Sequence, residues 1–305
     1  MKKINCFILT LLMLFFLPVA GCAKEEIKII VPDGMPYIAI GNMIGKRGVT
    51  IDNVSGAAAL KAAFVSNEYD IVIAPFNLGA QLYNTKKSTF KIDAVIGLNN
   101  LHIIAQPEFS LTTIADITKS TKPLLAFGQG STPEIILNEV FKTNNIEKEV
   151  TYLNSVNDVM PFFVSKQYDV VLSSEPVLTI MRMNKGLEFN SISLQNYLEI
   201  PIIQVAVFAS SNEAKQDRIT EVLLQIRKCV ETLVESPTIY AEDLAEKGDY
   251  FAEIGAKTLK ECEMKGNIKF IKATNYRVEI NKYLTMLGYD IPDDFFYRKW
   301  EKNIY

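Results

Sequence analysis

The sequence predicts an α/β protein: two doubly wound lobes joined by a two-crossing hinge, with helices at the C-terminal end. Three observations carry this. Short, fully apolar runs alternate with helical stretches from Ile27 onward, the pattern of strands covered by helices on both faces. One such unit recurs at an offset of 99 residues. Further apolar runs stand between the two units and after the second, where the chain would have to cross between lobes.

The elements follow in order. Ile27–Val31 is a strand and 32–37, rich in Pro and Gly, a loop. A short helix runs to about Gly45, and Gly48–Asn53 is a second strand. Ser55-Gly56 starts a helix over Ala57–Ser66. Asp70–Ala74 is a strand, Pro75-Phe76-Asn77 a loop and Leu78–Asn84 a helix. Ile92–Gly97 and Leu101–Ala105 carry the chain across, and Ile200–Ala209 brings it back. Asn212–Tyr305 reads as helical. Ile219, Leu223, Ile226, Val230 and Leu233 recur there at helical spacing, which predicts a core-facing stripe. Tyr240–Glu246, Phe251–Met264 and Arg277–Leu287 continue as helices, and Phe295, Phe296, Tyr297 and Trp300 read as packing aromatics.

The repeat is explicit. Phe64–Asn77, FVSNEYDIVIAPFN, aligns with Phe163–Pro176, FVSKQYDVVLSSEP. Phe, Val, Ser, Tyr and Asp coincide, and the preceding helices, Ser55–Phe64 and Asn154–Phe163, align as well. Leu124–Phe127 with its glycine turn corresponds to Ile27–Val31 with its loop. The predicted lobes are residues 27–103 with 206–305, and 104–205.

The N-terminus carries a different signal. Met1-Lys2-Lys3 precedes an apolar run to about Val19, too short for a span of about 20 residues. With small residues at its end, this is a signal peptide over 1–21. Val19-Ala20-Gly21-Cys22 resembles a bacterial lipobox, which implies cleavage, lipid (palmitate among its acyl chains) on Cys22, a short linker over 22–26 and a body tethered outside the cytoplasm. Cleavage would remove two of the 32 basic side chains and none of the 35 acidic ones, moving the net charge from −3 to −5. That excludes a basic nucleic-acid-binding face as the organising feature. Cys229 and Cys262 would remain, as a disulfide or as two buried thiols.

Ligands of open α/β sheets sit beyond the carboxyl ends of the strands. That rule selects the loops 32–37, 54–56 and 75–77 in one lobe, and 128–132, 154–155 and 173–176 in the other. The glycine turn is the most developed of them. Gly128-Gln129-Gly130 breaks a strand, and Ser131 with Glu134 three residues on is a capping-box pattern. Pro133 sits in the helix's first turn. Backbone N–H groups and a positive helix end would there face a polar or anionic group. None of the six loops holds Lys or Arg, whereas Asp33 and Glu175 bring negative charge. Each acid has an ordinary reading too, as a turn residue or a helix start. Tyr37 and Phe76 offer flat faces for a ring or belong to the core.

Catalytic signatures are missing. His102 is the only histidine. There is no nucleophile elbow, dinucleotide fingerprint, phosphate loop or zinc spacing, so neither a cofactor nor a metal is expected. Asp33 and Glu175 keep a lyase or transferase reading open.

The glycine turn with Gly-Ser-Thr-Pro, the following helix, and Tyr168-Asp169-Val170-Val171 leading to Glu175-Pro176 and Thr179 resemble the solute-binding lipoproteins of ABC importers of the nitrate, sulfonate, taurine and pyrimidine-precursor type. The resemblance covers Ile27 to about Met183. It implies a periplasmic-binding-protein-like type II fold and a lipid-anchored receptor that acts as a monomer. It further implies a non-enzyme that closes on a small polar or heteroaromatic solute and delivers it to a membrane permease with a cytoplasmic ATPase. The positions it marks for ligand contact are Gln129, Gly130, Ser131 and Thr132, with Tyr37, Ser55, Asn77 and Glu175. The loops add Gly34, Gly56, Phe76 and Asn154. The cysteine-rich motif of fungal pyrimidine-synthase enzymes, which share that fold, is missing.

Overall fold

A computed structural model describes residues 25–248, 251, 259–261 and 268–297. The signal segment 1–21, Cys22, Cys262, Trp300 and most of Phe251–Met264 lie outside them. Eleven strands form two sheets among the described residues. The first sheet holds β1 (Ile27–Pro32), β2 (Val49–Val54), β3 (Ile71–Pro75), β4 (Lys91–Leu98), β10 (Ile203–Ala209) and β11 (Ile268–Lys272), in the order β11-β4-β10-β3-β1-β2. The second holds β5 (Leu101–Ala105), β6 (Leu124–Phe127), β7 (Val150–Leu153), β8 (Val170–Ser174) and β9 (Asn190–Ser193), in the order β7-β6-β8-β5-β9.

The two orders are the same pattern. In each, a central strand pairs in parallel with the next two of its unit: β1 with β2 and β3, β6 with β7 and β8. In each, one antiparallel strand follows: β10 beside β3, β5 beside β8. The sheets are therefore mixed, not purely parallel as the apolar runs predict. The reason is the crossing. A strand that arrives from the other sheet enters from the ligand-facing end and runs against its new neighbours. The chain leaves the first sheet at Asn99–Asn100 and returns between β9 and β10. These passages fall a few residues before the limits drawn at 103 and 205, so β5 lies wholly in the second sheet and β10 wholly in the first.

Helices cover the faces: α1 (Met35–Ala39), α2 (Ala57–Ser66), α3 (Phe76–Asn84), α4 (Thr132–Thr143), α5 (Val156–Val164), α6 (Val177–Lys185), α7 (Gln216–Glu235), α8 (Pro237–Ala245) and α9 (Arg277–Met286). No described helix is long and apolar enough to cross a membrane. The α7 stripe Ile219, Leu223, Ile226, Val230 and Leu233 is fully buried on the first sheet, where each side chain is worth about 1.5–3 kcal/mol of burial.

The repeated residues have structural work in both units. Phe64 and Phe163 are each 1% exposed. Helices α2 and α5 are followed by left-handed residues 99 apart, Asn67 at φ 56° and Lys166 at φ 57°. Asp70 accepts from the Lys28 backbone N–H and from Lys215 Nζ at 3.1 Å. Its counterpart Asp169 accepts from Ser120 Oγ and Lys122 Nζ, both at 2.8 Å. Each aspartate so ties the start of a third strand to the segment that begins or precedes the first.

One strand departs from the predicted helical remainder. Ile268–Lys272, IKFIK, adds to the sheet edge antiparallel to β4. Its β-branched and aromatic residues fit a half-buried edge, and five residues are too few for helical periodicity to register. Phe295, Phe296 and Tyr297 are buried, as their reading as packing aromatics requires.

Candidate functional site

A cavity of about 680 Å³ opens between the two sheets at the carboxyl ends of their strands. The first sheet contributes Asp33 and Gly34 after β1, Ser55 and Gly56 after β2, and Asn100 at the crossing. The second contributes Ser155–Asn157 at the start of α5 and Ser174–Val177 between β8 and α6. Met35, Ile38, Ile96, Ile180, Val205 and Ile268 supply apolar wall. This size suits one small organic solute.

Local sequence explains each wall. Gly34 and Gly56 both sit at φ 89°, a conformation that strains residues with a Cβ, and each precedes a helix. The Ser55 hydroxyl donates to the Asp33 carboxylate, which joins the two loops. Ser155 caps α5 through a capping box with Asp158. Glu175 is held twice: its backbone N–H donates to Asn100 O at 3.0 Å, and its Oε2 accepts from Thr179 N at 3.1 Å. Burial, and then the nearby Asp33 charge, raise the Tyr37 hydroxyl above its ordinary range.

The lining is rich in acceptors. Asp33 and Glu175 are its two ionisable groups among the described residues, with no Lys, Arg or His. Asn100 Oδ1 is buried and has no hydrogen-bond partner among the described residues. Such a surface receives donors.

Of the residues marked in the sequence, Gly34, Ser55, Gly56 and Glu175 line this cavity. Tyr37, Phe76, Asn77, Gln129, Gly130, Ser131, Thr132 and Asn154 do not. The Tyr37 ring packs on Phe251, centroids 5.0 Å apart. Phe76 is 0% exposed and meets Tyr283 edge to face at 5.5 Å, so its ring has no open face for stacking. Asn77 and Thr132 bond to each other: Thr132 Oγ1 donates to Asn77 Oδ1 at 2.7 Å. Gln129, Gly130 and Asn154 are exposed.

The glycine turn differs from its expected form. Ser131 is the N-cap of α4, but its hydroxyl turns back to Gly128 O at 2.5 Å and caps nothing. Glu134 Oε2 instead accepts from Gly130 N at 2.6 Å. The expected capping box does not form. The helix end already meets a carboxylate of its own chain, which weakens its attraction for an outside anion.

Asn100, Asn157 and Ile268 are lining residues that the sequence reading does not mark. The Asn99-Asn100 pair between two apolar runs is a signal for the first. Ile268 has none, because its strand is not legible. His102 lies in β5 opposite Ser173 and Ser193, outside the cavity wall. No group of three metal-ligating side chains occurs among the described residues.

No family model matches the chain, and no curated protein matches it. Solved structures do. An ABC transporter protein from Parabacteroides distasonis is 20% identical, with 90% of this chain and 100% of that one covered at a TM-score of 0.71. The periplasmic aliphatic sulphonate binding protein of Escherichia coli is 11% identical over 90% and 92%, at 0.66. The periplasmic nitrate-binding protein of Synechocystis PCC 6803 is 14% identical over 77% and 70%, at 0.56. At these identities what is shared is the fold. The chain has the periplasmic-binding-protein-like fold, and its structural neighbours include periplasmic sulphonate-binding and nitrate-binding proteins.

Proposed function

We propose that this chain is the solute receptor of an ABC import system. Its two lobes close on a small polar or heteroaromatic solute and deliver it to a membrane permease driven by a cytoplasmic ATPase. The observation that carries this reading is the cavity between two sheets of one repeated pattern, joined by two crossings. Such an arrangement favours hinge closure around a ligand. Lipid on Cys22 would hold a monomeric receptor at the outer face of the cell membrane, and Cys22→Ser should release it to the soluble fraction. The receptor turns nothing over.

A thermal melt tests this. The chain begun after Cys22 is heated with aminopyrimidines, flavins, sulfonates, nitrate or amino acids. A true ligand at about 100 times its dissociation constant adds roughly 2.7 kcal/mol, a shift of several degrees for a chain of this length. The compound should be recovered unchanged. A second reading, a lyase or transferase on the same scaffold, rests on the Ser55–Asp33 pair and Glu175 in one cavity. Conversion of the bound compound would favour it.

A further inference from the structure

We propose that Gly97 is a specificity residue: it floors a notch that takes an aliphatic body on the solute. The solute is then amphipathic, a hydrogen-bonding head on a short unbranched hydrocarbon chain. This specificity rests on the receptor reading and narrows it. It starts from one row of the first sheet. Val205 on β10, Gly97 on β4 and Ile268 on β11 are paired side by side across three neighbouring strands. All three line the cavity. Residues so paired show their side chains on one face. With strands about 4.8 Å apart, the two branched side chains flank the bare glycine about 9–10 Å from each other, which leaves a gap one side chain wide.

The backbone does not require glycine at 97, because its φ lies outside the left-handed region. Glycine weakens a strand interior and often marks the close approach of a ligand or another backbone. The ladder skips Ile96 between the pairs Val205–Gly97 and Ala206–Val95. A bulge of this kind re-aims side chains and is common beside active sites. Here it brings two consecutive residues, Ile96 and Gly97, into one wall. A Cβ on Gly97 would stand 3.1 Å from Val205 Cβ and 3.2 Å from its Cγ2. Alanine would therefore both fill the notch and crowd a second wall residue. Burial follows the same line. Val205 is the one residue of β10 that is not fully buried, and Gly97 the one residue of β4 after Lys91. The sheet opens to the cavity at this pair.

The rest of the wall is the second observation. Met35, Ile38, Ile96 and Ile268 belong to one packed apolar cluster, with Val205 against it. The second lobe adds Val156 and Val177 to the lining. No aromatic side chain occurs in the described lining, so a ring has nothing there to stack on, whereas a hydrocarbon chain meets aliphatic side chains. Ser55, Ser155 and Asn157 in the same lining supply hydrogen-bonding groups for the head. Apolar area with a few placed polar groups is how such sites combine affinity with orientation.

The test titrates matched probes into the full chain held in lipid nanodiscs, with empty discs as the blank, so that no free detergent competes. n-Alkylamines, n-alkanesulfonates and primary alkanamides, each from the methyl to the hexyl member, supply three heads with one kind of body. In a head series that binds, each added methylene should tighten binding about three- to fourfold until the notch is full. Gly97→Ala should cut that gain to under about twofold per methylene. Val205→Ala should move the best chain length up by about one or two carbons, into the room left by its lost methyl groups. The second variant adds no contact and keeps the test decisive if Gly97→Ala fails to fold. Affinity independent of chain length, or a dependence that neither variant moves, overturns the notch and leaves the receptor reading standing. So does a ligand found by the thermal melt when no alkyl probe binds. No binding by any of these compounds overturns both.

Discussion

Replacing Thr132 with Val should open the molecule more than it unfolds it. Thr132 is 1% exposed and Asn77 7%. They belong to helices on different sheets, α4 and α3, and their 2.7 Å hydrogen bond joins the two lobes. Valine keeps the shape and removes the donor, leaving Asn77 Oδ1 enclosed without it. The penalty for a buried acceptor left unsatisfied is about 1–3 kcal/mol. If the lobes separate, water reaches Asn77 and the penalty falls away. It therefore acts on the closed arrangement, which should lose about 5–150-fold in population relative to the open one. Spin labels on α3 and α4 would read this as a longer distance. Urea denaturation should change less, because the open form remains folded. A double-mutant cycle with Asn77→Ala isolates the pair, and a coupling of about 0.5–3 kcal/mol is expected. Unchanged distances together with additive effects would refute the reasoning.

Three further predictions concern stability. In Gly79→Ala, the new Cβ would lie 2.3–2.7 Å from three Phe208 ring atoms. Phe208 is wedged against Phe64 and Phe295, so overpacking of about 1–3 kcal/mol should outweigh a helix gain of about 1 kcal/mol; an unchanged or higher melting temperature would count against it. Tyr283→Phe removes a fully buried hydroxyl that has no partner among the described residues, and stability should hold or rise in chemical denaturation; a loss above about 1 kcal/mol would contradict that hydroxyl's isolation. The hydrogen bond from Lys122, opposed by burial, holds the Asp169 carboxyl below its ordinary 3.8. A depressed folded value contributes stability above the ordinary one and loses it as pH falls through the folded one. Asp169→Asn should therefore be less stable at neutral pH, and the gap between the denaturation midpoints of the two chains should narrow as pH falls below 3.8 and close only below the lowered folded value; a gap unchanged by acid would show that charge is not the cause.

Local signals in the sequence carry far in this chain. Helix α2 spans Ala57–Ser66 as its pattern predicts, and the 99-residue repeat reappears as one strand order in two sheets. These depend on neighbours in sequence. The site depends on partners far away. Phe76 stands in a loop that the carboxyl-end rule selects, yet Tyr283, more than 200 residues on, draws its ring into the core. Thr132 and Asn77, both marked for ligand contact and 55 residues apart in sequence, are hydrogen-bonded to each other. The glycine turn fails for a local reason: Glu134 can reach either Ser131 N or Gly130 N, and spacing alone does not choose. Asp33 and Glu175, in loops that the same rule selects, both line the cavity.

The central claim is that a solute, chemically intact, sits between the two sheets and touches both. A crystal structure of the chain with the compound that gives the largest melting shift tests this most directly. The account predicts unaltered solute in the cavity of about 680 Å³, in contact with the β1 loop at Asp33 and with Glu175 before α6. Solute bound at Gln129–Ser131 instead, or recovered there as a reaction product, would contradict it.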